Sequence, residues 1–145
     1  MRVESEDLKR RVYLKWSDKY SVNVTEIDEQ HKKLFSLVNG MYDAMHASRG
    51  RDMIEKVIAE FVDYTDYHFK TEEALLRLHA YPAYDDHKEM HDRLVREACR
   101  IREAFDSGNT PTAIEVMLIL TNWLNIHILE QDRKYKPYVE GKATK

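Results

Sequence analysis

The chain is poor in the features that build stranded or disulfide-knit domains. It has one cysteine, Cys99, so no disulfide can form within it; the simplest place for that residue is a helix surface or the edge of a core. Only four glycines and three prolines occur in 145 residues, too few for a turn-dense β-fold and well suited to long uninterrupted helices. No apolar run approaches the ~20 residues of a membrane span, the densest being Val116 to Leu120. Neither sign of charge dominates. A net charge of -3 gives no reason to expect nucleic acid as a partner, and Lys9, Arg10 and Arg11 read as a solvated arm. Met1 to Lys9 carries charges where a signal peptide needs apolar residues. The expectation is a single domain spanning 1–145, cytoplasmic, with no membrane insertion.

What is present is helical periodicity. Apolar residues recur at helical spacing in four segments, about 25–47, 51–78, 84–106 and 111–130. Residues 1–24 form an N-terminal arm, and 133–145 are expected to be a tail. Thr25 with Asp28 resembles a capping box. Ser48-Arg49-Gly50, Ala80-Tyr81-Pro82 and Ser107-Gly108 punctuate the chain, and Thr110-Pro111 starts the last helix. That helix is the most apolar and is expected to be the most buried. Short connections make neighbours antiparallel, so the fold class is all-α, an up-down-up-down four-helix bundle with an N-terminal arm.

This topology levels the start of the first helix with the end of the second, the start of the third and the end of the fourth. Five of the seven histidines fall at that level: His31, His68, His87, His91 and His127. Glu72 lies one turn after His68, and Asp132 lies just beyond His127. Residues four apart share a helix face, so His68 with Glu72 and His87 with His91 can each chelate one site. His127 and Asp132, five apart, sit about 140° around an ideal helix. They converge only if the helix ends or loosens near Glu130. His46 and His79 match no ligand position.

Five imidazoles and two carboxylates exceed the roughly four ligands of a lone zinc. Two bridged, six-coordinate irons would use all seven side chains and one oxo or hydroxo bridge, leaving a single position open for a small exogenous ligand. The ferritin-like alternative uses four glutamates and paired Glu-x-x-His motifs, and no Glu-x-x-His occurs in these helices. A histidine-rich set supplies less negative charge to stabilise strongly oxidised iron, which favours reversible binding over substrate oxidation. Two other readings remain open: a di-iron redox enzyme reducing peroxide or nitric oxide, and an iron-buffering or regulatory module.

With these positions placed, the chain resembles the hemerythrins, and among them the single-domain bacteriohemerythrins. The resemblance runs from Trp16-Ser17-Asp18 to about Tyr138. It is carried by Ile27-Asp28-Glu29-Gln30-His31, His68-Phe69-Lys70-Thr71-Glu72-Glu73, Tyr81-Pro82 with His87 and His91, and Trp123 with His127-Ile128 and Asp132. It implies two iron ions bridged by oxo or hydroxo. His87, His91 and His127 would hold one iron and His31 and His68 the other, with Glu72 and Asp132 bridging. It further implies O2 as the ligand, bound reversibly at the open iron for transport, storage, delivery or sensing, and an oxygen-binding protein in place of an enzyme. An oxygen-consuming acceptor protein is an expected partner.

The positions matching the family's oxygen pocket are Leu34, Phe69, Trp123, Leu124 and Ile128, all bulky and apolar. Tyr135 falls where the family often keeps a tyrosine behind the bridging aspartate. Two departures concern loops: Asn23, within Val22-Asn23-Val24, and Ala80 each stand where glycine is common.

Overall fold

The computed structural model describes residues 14–46, 51–108 and 113–140. After a short 3-10 turn at Asp18–Tyr20, helix α1 spans Thr25–His46, α2 spans Arg51–Leu78 and α3 spans Tyr84–Asp106. The fourth helix, α4, runs Ala113–Ile126, passes into a π-turn at His127–Asp132, and resumes as α5 over Arg133–Val139. The basic cluster at Lys9 to Arg11, the Thr110-Pro111 start and the side chain of His46 lie outside the described residues. Among the described residues, no helix is long and apolar enough to cross a membrane.

Each helix buries one stripe. Helix α1 contributes Leu34, Phe35, Val38 and Met41; α2 contributes Ile58, Phe61 and Val62; α3 contributes Ala98 and Phe105; α4 contributes Val116, Leu120 and Leu124. Helices α1 and α2, α2 and α3, α3 and α4, and α4 and α1 pack as neighbours, which closes the four-helix bundle. A second apolar cluster caps one end, made of Val22, Val24, Ile27, Leu75, Leu76, Tyr81, Tyr135 and Val139. Along α1 the two clusters leave a gap between Ile27 and Leu34. Along α2 they leave one between Val62 and Leu75. That gap is where the polar residues sit.

Two expectations are corrected at the chain's end. Residues 133–139 are helical, not a tail, because α5 buries Tyr135 and Val139 against the capping cluster. Helix α4 is not set apart as the most buried helix: Leu118, Ile119 and Ile126 are 49%, 43% and 43% exposed. Its neighbours cover a stripe of it, and apolar character all round does not create a second covering layer.

The capping box is also altered. Asp28 does reach back from the first turn of α1, but it accepts from the Val22 N–H at 2.9 Å and the Ser21 hydroxyl at 2.6 Å. It thereby ties the arm to the helix.

Both loop departures fall at left-handed backbone, Asn23 with φ 60° and Ala80 with φ 52°. Asparagine tolerates that region, and Asn23 donates to Glu140 at 2.6 Å. Ala80 closes α2 in a Schellman motif: its N–H reaches the Arg77 carbonyl and the Tyr81 N–H reaches that of Leu76. A Cβ at this φ costs about 1–2 kcal/mol, more than the ~0.4–1 kcal/mol that glycine loses in the unfolded chain. Ala80→Gly is therefore expected to stabilise the fold by roughly 0.5–1 kcal/mol, raising the melting midpoint by about 2–3 °C. An unchanged or lower midpoint would show that the turn carries no strain.

Candidate metal centre

The centre is built from four helical strokes across the bundle. Helix α1 supplies His31, α2 supplies His68 and Glu72 one turn apart, and α3 supplies His87 and His91 one turn apart. The end of α4 supplies His127 and Asp132. All seven side chains are buried, and Glu72, Asp132, His31 and His68 are wholly so. The π-turn answers the problem of spacing. In a π-helix the bond runs from i to i+5, so the widened turn at His127–Asp132 brings positions five apart onto one face.

The donor atoms fall into two groups that share both carboxylates: Glu72, His87, His91, His127 and Asp132 in one, and His31, His68, Glu72 and Asp132 in the other. The sharing is atom by atom. Glu72 Oε1 lies 2.9 Å from His91 Nε2 and 3.0 Å from His87 Nε2. Its Oε2 lies 3.5 Å from His68 Nε2 and 3.7 Å from His31 Nε2. Asp132 turns Oδ1 to His127 at 3.1 Å and to His87 at 3.4 Å, and Oδ2 to His31 at 3.1 Å. One oxygen of each carboxylate thus faces each histidine group.

Among these contacts the one between His87 Nε2 and Glu72 Oε1 is a hydrogen bond; the others are close without being hydrogen bonds. The Nε2 atoms of His31, His68, His91 and His127 and both Asp132 oxygens are buried with no hydrogen-bond partner among the described residues. Unpaired buried polar atoms are costly. Nitrogens and oxygens that converge on common points without bonding one another are the arrangement that a cation resolves, so the residues present fit a metal pair.

Around the donors stand three further polar side chains. Tyr135 donates its hydroxyl to Glu72 Oε2 at 2.5 Å. The family resemblance implies this tyrosine near Asp132; its hydrogen bond goes to the other shared carboxylate, on α2. Gln30 Oε1 lies 2.7 Å from His68 Nδ1, and Glu73 Oε2 lies 2.8 Å from His91 Nδ1. Sequence reasoning missed both. Each sits beside a donor in the chain yet serves a histidine on a different helix.

The apolar residues divide. Phe69 stacks flat on His91, ring centres 3.7 Å apart and planes 3° apart. Leu34, Leu124 and Ile128 are buried in the main core. Trp123 is only partly buried; it stacks 6.4 Å from His127 and lines an outer groove between α3 and α4.

Without metal, the carboxylates impose charge on the rings. Burial alone would lower His31, but Asp132 and Glu72 outweigh it and raise it from 6.5 to about 9. His87 is likewise opposed by burial and raised by Asp132 and Glu72 to about 10. At His68 burial wins, and its pKa falls. Burial pushes Glu72 upward, yet the surrounding imidazoles hold it well below the carboxylate range. Burial and the charges of Glu72 and Asp132 keep the Tyr135 phenol protonated far above its usual pKa.

An all-helical bundle with two carboxylate-bridged, histidine-rich donor groups defines a non-haem binuclear metalloprotein. Comparison with known proteins agrees. Residues 22–139 match the family model described as the hemerythrin HHE cation binding domain. A bacteriohemerythrin of Stenotrophomonas maltophilia is 32% identical over 88% of this chain and 82% of its own length. One from Methylococcus capsulatus is 31% identical over 81% and 89% respectively. The crystal structure of wild-type hemerythrin superposes with a TM-score of 0.81 at 29% identity, covering 88% of this chain and 98% of that one. The chain belongs to the hemerythrin family, whose members bind O2 at a di-iron site, and the buried cluster suits that cofactor.

Metal must displace protons from this centre. The imidazolium ions at His31 and His87 stabilise the metal-free fold fully below about pH 6.5, and that contribution is lost as pH rises through about 9 and 10. Glu72, held low, acts in the opposite sense and loses its contribution only on acidification. Loading a divalent metal at about pH 7.5 should therefore release protons, and apparent affinity should fall on acidification toward about pH 6. Calorimetry in buffers of different ionisation enthalpy checks this; loading without proton release would mean the rings are neutral beforehand.

Proposed function

We propose that this chain binds O2 reversibly at a di-iron centre, for transport, storage, delivery or sensing. The observation that carries the reading is the division of Glu72 and Asp132, each offering one oxygen to either histidine group. In this reading His87, His91 and His127 hold one iron and His31 and His68 the other, with Glu72 and Asp132 common to both. When bound, the iron pair supplies the electrons that O2 takes up on binding and returns on release.

The chain's own residues would make that exchange reversible. Tyr135, bonded to Glu72 Oε2, fixes the orientation of that carboxylate and offsets part of its charge. Phe69, flat against His91, restrains the ring. Phe69, Leu34, Leu124 and Ile128 are all within 2% of full burial, so they wall the centre from solvent on the side of the main core. Excluding water withholds the protons and competing ligands that would convert a bound oxidant into a lost one. Two carboxylates among five imidazoles leave the centre less electron-rich than a four-glutamate one, which favours return of the electrons.

An optical spectrum of the iron-loaded protein through one cycle tests the reading: reduced without oxygen, exposed to O2, then purged with argon. A visible band that appears with O2 and fades on purging is expected. Persistence of the oxidised spectrum would mark a redox enzyme instead, and absence of any iron-dependent band would remove the di-iron assignment.

Leu124→Ala tests the wall. The side chain is 1% exposed, so truncation should destabilise the fold by about 2–4 kcal/mol. It should also speed irreversible oxidation of the O2-bound form, measured as the decay of its band. A decay rate equal to that of the parent would show that Leu124 does not guard the centre.

A further inference from the structure

The two halves of the centre are backed differently. On one side the Nδ1 of His91 is held by the carboxylate of Glu73 at 2.8 Å, and on the other the Nδ1 of His68 is held by the amide oxygen of Gln30 at 2.7 Å. Both contacts are buried, with Glu73 8% and Gln30 6% exposed. A carboxylate accepts only, and Gln30 presents its oxygen, so in both rings Nδ1 carries a proton and Nε2 is the atom left to bind a cation at the centre. The tautomer is thus the same on both sides. The charge behind it is not.

We propose that Glu73 and Gln30 are positioning residues that make the two metal positions unequal, so that the His87, His91 and His127 half fills first and the His31 and His68 half second. The proposal rests on the ligand reading given above. A carboxylate behind an imidazole raises its basicity and adds negative charge beside the bound cation, while a neutral amide orients without adding charge. The same half also has the larger donor group, three imidazoles against two, with Glu72 and Asp132 common to both. Phe69 stacked on His91 further limits the ring's freedom on that side. Once one cation sits there, it has neutralised part of both shared carboxylates and repels a second cation. Each of these effects acts in the same direction. The second position is therefore the weaker and the more readily exchanged.

The test is a titration of the full-length, metal-free protein with cobalt(II) alone, in competition with a chromophoric chelator and followed by the cobalt absorption. Two resolved steps are expected. Glu73→Gln should weaken the first step by about 10- to 100-fold and leave the second close to its original value. Gln30→Glu should strengthen the second step by a comparable factor and leave the first in place. The second variant adds affinity, so its result does not depend on whether Glu73→Gln perturbs folding. Two ions binding with a single unresolved affinity, or either variant moving both steps equally, would overturn the ordering while sparing the ligand set. Uptake of fewer than two ions by the parent protein would overturn the ligand set itself.

Discussion

Two carboxylates lie in the interior of a helical bundle, and most of the structure near them is organised by that burden. Glu72 and Asp132 are fully buried, where an unpaired ionised carboxyl would cost many kcal/mol or give up its charge. Among the described residues, the close ion-pair partners of both are imidazoles, with no lysine or arginine. Imidazole is the one cationic partner whose charge can be exchanged, near neutral pH, for a coordinated metal. A lysine at any of these positions would satisfy the carboxylates permanently and close the site. The choice of histidine keeps the interior stable when empty and available when metal arrives.

Placing those groups required a departure from regular helix. Asp132 cannot share a face with His127 in α-geometry, and the π-turn at His127–Asp132 provides the extra residue. The turn is held from outside. The 3-10 turn at Asp18–Tyr20 packs on it, Tyr20 donates to Asn125 at 2.8 Å, and Arg133 donates to the Lys19 carbonyl at 2.7 Å. Beyond it, α5 seats Tyr135 and Val139 in the capping cluster. The arm and the last helix therefore act together as the brace of an irregular turn.

How much of this was legible in the sequence follows from what period and spacing can encode. The four helices and their antiparallel order could be read because apolar residues repeat at helical spacing and glycine or proline stands between them. The seven donors converged on one level because rise per residue is a fixed quantity. Spacing also exposed the one misfit, His127 with Asp132, and required the helix to loosen there, although it could not specify a π-turn. Contacts between helices were out of reach. Nothing in the order Glu72-Glu73 says that one faces the shared centre and the other backs His91 on α3, and nothing in Gln30-His31 says that the glutamine serves His68. The family resemblance puts Tyr135 near Asp132, but it does not say that the hydroxyl crosses to Glu72. The helix at 133–139 escapes recognition because seven residues with Pro137 inside them carry too short a pattern.

The position of the polar layer explains why the bundle tolerates it. Apolar clusters lie on both sides along the helices, the main core on one and the cap of Val22, Ile27, Leu75, Leu76, Tyr81 and Val139 on the other. Those clusters supply the folding stability that the polar layer does not, since its unpaired atoms are a net cost until metal is bound. They also set the dielectric around it, so every charge in the layer acts strongly on its neighbours. A single additional carboxylate behind one ring, as at His91, then has leverage that it would lack at a surface. The inequality between the two halves follows from placing one more charge in a layer where charges are few and poorly screened.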